Sequence, residues 1–89
     1  MKQTIKFIIN GNVQGVGFRW SIKTWADKIN IKGYVQNLSD GSVKIVANIK
    51  NVNNFINGIK SLNNPFIKIR NIDYTLLNYK EYKTFSIKI

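Results

Sequence analysis

The hydrophobic period of this chain changes at one glycine-rich bend, and that change limits what the chain can become. Before the bend, Ile5, Phe7 and Ile9 alternate with their neighbours, the period of a strand over residues 4–10. After it, Phe18, Ile22, Trp25, Ala26 and Ile29 fall at the spacing of one helical stripe. Between the two lie Gly11, Asn12, Val13, Gln14, Gly15, Val16 and Gly17. A strand, a glycine-rich bend and a helix together make a recurring anion site. Glycine turns sharply and has no Cβ to hold a ligand away. Successive N–H groups in such a bend converge on one oxyanion. The helix start adds unpaired N–H groups and the positive end of its dipole. Arg19 follows within a turn, and a guanidinium suits a phosphate. The common nucleotide fingerprints do not fit. Gly15-Val16-Gly17 lacks the third glycine of the dinucleotide pattern, and no Lys-Ser or Lys-Thr follows at Walker spacing. The bend therefore predicts a cradle of phosphate size, with glycine needed only for turn geometry as the competing reading.

The rest of the chain repeats the same alternation of periods. The first helix ends at residues 30–33, where Gly33 or Asn30 offers a left-handed cap. Residues 34–37 read as a short strand. Ser39-Asp40-Gly41-Ser42 reads as a tight turn, and Val43, Ile45 and Ala47 as the return strand. Val52, Phe55, Ile56, Ile59 and Leu62 form a second helical stripe, which Asn51 is suited to cap and Asn63-Asn64-Pro65 to stop. Residues 66–79 hold two or three strand-like segments, and residues 85–89 alternate as a last strand. The order is β-α-β-β-α-β with extra strand material before the end. It predicts one domain over residues 1–89, with an antiparallel sheet and both helices on one face, the split βαβ plan. Trp25 and Phe55 are expected in the core.

Composition removes many chemistries. There is no cysteine, hence no disulfide and no thiolate, and no histidine, hence no imidazole acid or base. The carboxylates are only Asp27, Asp40, Asp73 and Glu81, scattered along the chain, so neither a metal site nor a paired-carboxylate mechanism is expected. No cofactor is expected. No membrane span or signal segment is visible, and the reading is cytoplasmic. The net charge is +10, but among 14 basic residues only Arg19 and Arg70 are arginine. Scattered lysines read as a solvated surface more readily than as a nucleic-acid footprint. What remains is a cradle, one arginine and the amide of Asn37. That set binds a phosphoryl group and steers a water, yet takes no proton well. It suits an acyl phosphate, whose carboxylate leaves easily and whose phosphate oxygen accepts the proton.

Gly11-x-Val13-Gln14-Gly15-Val16-Gly17-Phe18-Arg19, followed by Gly33-Tyr34-Val35-x-Asn37 and Asp40-Gly41-Ser42-Val43, closely resembles the acylphosphatase family. The diagnostic part spans residues 11–47. The resemblance implies a ferredoxin-like α/β sandwich of the α+β class (βαββαβ). It implies hydrolysis of acyl phosphates to a carboxylate and inorganic phosphate, without a metal. It also implies site roles. The main-chain amides of Gln14, Gly15, Val16, Gly17 and Phe18 surround the substrate phosphate, Arg19 binds it, and Asn37 orients the attacking water. The expected partners are a small acyl phosphate and inorganic phosphate as product, acting on a monomer.

Departures from the family pattern are visible. Leu38 stands where many members carry a hydroxyl that helps hold the asparagine, which predicts looser water positioning. Asn48-Ile49 replaces a frequent Glu-Gly, and Phe66 follows Pro65 where small residues are common. Two rivals stay open. One is a nucleic-acid-binding module on the same plan, which needs exposed aromatics on its central strands. The other is a domain of the kind built into larger carbamoyl-transfer enzymes.

Overall fold

The computed structural model describes all of residues 1–89. The elements in chain order are β1 (Gln3–Asn12), α1 (Phe18–Lys28), β2 (Lys32–Asn37), β3 (Val43–Ile49), α2 (Val52–Lys60), β4 (Lys68–Leu77) and β5 (Phe85–Lys88). They form one five-stranded sheet in the order β4-β1-β3-β2-β5.

The register follows from which side chains must be hidden. Ile5, Phe7 and Ile9 of β1 lie opposite Ala47, Ile45 and Val43 of β3, and all six are buried. One pleated face therefore carries the apolar set. Both helices pack on it. Phe18, Ile22 and Ala26 of α1 and Phe55 and Ile59 of α2 are buried in the same cluster. The Phe55 ring sits 4.9 Å from Phe7 below it and 5.0 Å from Trp25 beside it, so the two helices meet over β1. Their contact requires a bare backbone, because a Cβ on Gly58 would lie 2.2 Å from the Trp25 ring.

Helix ends are set locally. Asn51 caps α2, its side chain accepting from the Asn54 N–H at 3.0 Å. Asn30 takes the left-handed conformation after α1, with φ 63°, and does so without glycine. Gly33 lies inside β2 instead, where a Cβ would fall 1.9 Å from the Val46 carbonyl oxygen.

Two features differ from the sequence reading. Residues 66–79 contain one long strand, β4, and not two or three segments. Its irregular pattern reflects its place at the sheet edge, where burial no longer enforces alternation. The sheet is also mixed, because β5 pairs parallel to β2 while the other pairs are antiparallel. The connection from β4 explains this. It crosses the helix-free face to the opposite edge, and the chain then runs back alongside β2 in the same direction. The crossing segment is pinned by buried polar groups. Thr4 Oγ1 accepts from the Lys80 N–H at 2.9 Å. Asn48 donates to the Lys80 carbonyl at 2.8 Å and accepts from the Tyr82 N–H at 2.8 Å. Asn48 thus anchors the strap.

Candidate active site

The bend between β1 and α1 is built from left-handed glycines. Gly15 has φ 73° and Gly17 φ 80°, values that cost a residue with a Cβ roughly 1 kcal/mol or more each. Gly17 is the N-cap of α1 and has no side chain to cap it, so the first N–H groups of the helix keep their freedom to bind something else. The bend closes a cavity of about 200 Å³ against the end of β2 and the inner side of β5. At about 30 Å³ per water, that is room for a phosphoryl group and its attacking water.

Gly15, Gly17, Phe18, Arg19 and Asn37 line this cavity together, with Val13, Trp20 and Ile87. Val13 and Phe18 are buried and form its apolar floor. Arg19 is its only cation. The Arg19 Nη1 donates to the Lys88 carbonyl at 3.4 Å, a long bond that a phosphate oxygen would readily replace. Asn37 continues the buried face of β2 beyond Val35. Its Oδ1 is buried and has no hydrogen-bond partner. Leaving such an acceptor bare costs about 1–3 kcal/mol, so the fold sets aside a polar atom for something that enters the cavity.

Gln14 and Val16 are not among the lining residues. The Gln14 side chain turns away and donates from Nε2 to the Leu38 and Ser42 carbonyls, each at 2.8 Å. It ties the bend to both ends of the turn that follows Asn37. Val16 packs partly against the core, and its carbonyl accepts from Asn64 Nδ2 at 3.1 Å. These two amide side chains, Gln14 and Asn64, hold the cradle in place. The sequence reading used only the main chain of Gln14 and gave Asn64 no role beyond stopping a helix. It also missed Ile87, which reaches the site only through the parallel pairing of β5 with β2. No local pattern signals that pairing.

The turn itself is longer than a two-residue hairpin. Leu38 N–H donates to the Ser42 carbonyl at 2.9 Å, closing a loop over residues 38–42. Within it, the Ser42 hydroxyl and N–H both donate to Asp40, holding its carboxyl below the ordinary value of 3.8. Asp40 is thus charged at neutral pH and serves the turn, not the cavity.

The chain is similar to known proteins in both sequence and fold. A family model described as acylphosphatase matches residues 5–87. An acylphosphatase from Ligilactobacillus salivarius is 46% identical over 84 residues, covering 92% of this chain and 93% of that one. One from Caldanaerobacter subterraneus is 39% identical and covers 98% and 99% of the two chains. The crystal structure of acylphosphatase from Bacillus subtilis matches over the full length of both chains, with TM-score 0.85 and 35% identity. The crystal structure of full-length HypF in its phosphate- and nucleotide-bound form also matches, with TM-score 0.82 and 36% identity. That match covers 99% of this chain but 12% of the other.

Proposed function

We propose how the cavity works for a chain that belongs to the acylphosphatase family, hydrolases acting on acyl phosphates. The main-chain N–H groups of residues 14–18 and the Arg19 guanidinium hold the phosphoryl group. Asn37 Oδ1 accepts a hydrogen bond from a water and aims its oxygen at phosphorus. The P–O bond to the acyl oxygen breaks, its electrons leave on the carboxylate, and the water adds to phosphorus. The water's proton passes to a phosphate oxygen, since no side chain at the cavity is a base. Rate comes from positioning and from charge stabilisation.

The observation that carries this reading is the bare, buried Asn37 Oδ1 sharing one small cavity with Arg19 and two left-handed glycines. The donor set also argues against a metal. The four carboxylates stand apart, with no group of three or more potential ligands. Hydrolysis of benzoyl phosphate in excess EDTA tests the activity and its independence of a metal. Turnover is expected to match that without chelator. A rate that collapses with EDTA and returns with a divalent ion would overturn it. The natural acyl phosphate is small and anionic by the size and charge of the cavity, and the protein works as a monomer in the cytoplasm under this proposal.

A further inference from the structure

The face of the sheet opposite the helices has no role in hydrolysis, yet it carries an ordered set of tyrosines and lysines. The pleat turns alternate residues of β2 to opposite sides. Val35 and Asn37 face the helices, and Tyr34 and Gln36 face away. Above the Tyr34 ring lie Lys88 Nζ at 4.0 Å and Lys44 Nζ at 5.4 Å from its centroid. Tyr82, from the strap, stands 5.9 Å from Tyr34, with Lys80 Nζ 5.2 Å over its own ring. The strand register adds Lys6 and Lys32 to the same face, through Lys6↔Val46 and Lys32↔Asn48. At the strap end the face falls into a cavity of about 290 Å³ where Lys2, Lys32 and Lys83, with the carboxylate of Glu81 among them, stand around Tyr79 and Tyr82. The carboxylates on this side are Asp73, toward the β4 edge, and Glu81 in the strap.

We propose that this face binds single-stranded nucleic acid: the lysines that lie over the half-buried Tyr34 and Tyr82 rings move onto the phosphates, which uncovers the rings for bases to stack on. Charge complementarity selects a polyanion. The rings select one whose bases are unpaired, because every base has a π-face and a duplex hides it. The face offers little to a lipid surface, since Val46 beneath the tyrosines is buried and no large exposed aliphatic residue stands among them. The sequence reading asked for exposed aromatics on the central strands, where Ile5, Phe7, Ile9, Val43 and Ile45 are mostly aliphatic. Those residues form the buried face, and the half-buried Tyr34 and Tyr82 lie on the other one.

The test is fluorescence anisotropy with a labelled oligouridylate of roughly 15 nucleotides, between about 50 and about 200 mM NaCl. Binding is expected to weaken with salt with a log–log slope of about −3, the value for roughly four phosphate contacts at ~0.7 each. Lys44→Gln should reduce that slope by about 0.7. Tyr34→Leu should weaken binding about tenfold and leave the slope unchanged, the signature of lost stacking. Benzoyl phosphate turnover should persist in both variants, which separates this proposal from the one for the cavity and shows that they fold. Equal affinity for a duplex, for dextran sulfate or for anionic vesicles would overturn the proposal, as would a Tyr34→Leu protein that binds the oligonucleotide unchanged.

Discussion

Arg19 is the single cation at a cavity whose other polar groups are amides, so its removal isolates what charge contributes. Its hydrogen bond to Lys88 is long and exposed, so Arg19→Ala should change stability by less than about 0.5 kcal/mol. Its effect should fall on function. Turnover of benzoyl phosphate is expected to drop by a factor on the order of 10³, and inhibition by inorganic phosphate to weaken at least about tenfold. Lysine keeps the charge but not the planar fork, so Arg19→Lys should recover only part of the loss. Near-normal kinetics in the alanine variant would sink the role given to this residue. Asn37 divides from Arg19 in kind. Asn37→Ala should lower kcat by a factor of roughly 10² to 10³ while the inhibition constant for phosphate holds, since the carboxamide handles water and not the anion. Loss of both together would count against the division. Leu38 bears on this residue too. No hydrogen bond holds the Asn37 carboxamide oxygen, and Leu38 beside it has no hydroxyl to supply one.

At the level of elements, the site depends on how the bend is held against the turn after β2. Gln14 makes that joint with two short bonds to carbonyls on either side of it. Gln14→Ala removes two hydrogen bonds, although each carbonyl keeps a main-chain donor, and should cost about 1 kcal/mol in chemical denaturation. Because the turn adjoins Asn37, kcat should fall more than phosphate affinity does. A variant that loses stability but keeps kcat would show the joint to be structural only. These elements were largely legible from the sequence. The switch of period at residues 11–17 placed β1 and α1, and Asn51 before Val52 marked the start of α2. Such signals are local, since they need only the neighbours within a turn or a strand. Residues 66–79 were harder, because β4 is an edge strand and one side of it answers to solvent. The side-chain joints were not legible either. Gln14 meets Leu38 and Ser42 across 24 and 28 residues, and no periodicity encodes that.

On the scale of the molecule, two distant stretches must arrive at one place, and the sheet order brings them there. β1 delivers the bend, β2 lies two strands away with β3 between, and α1 bridges them across the buried face. The strap from β4 then carries the chain under the sheet so that β5 can close the cavity with Ile87. Asn48 is the hinge of that arrangement in energy terms. Asn48→Ala strips partners from the Lys80 carbonyl and the Tyr82 N–H, and should cost about 2–3 kcal/mol in thermal or denaturant unfolding. An unchanged midpoint would mean the strap is held by other contacts. The parallel pairing of β5 was the part of the fold that element order alone left out, because order does not say which edge the last strand joins. The central claim is that one cavity holds the phosphate in a main-chain cradle beside Arg19, with the Asn37 amide facing it. A crystal structure of the protein with inorganic phosphate tests this most directly. The phosphate should lie against the N–H groups of residues 14–18 and the Arg19 guanidinium, with a water bound by Asn37 Oδ1. An anion that settles elsewhere and leaves this cavity to solvent would contradict the account.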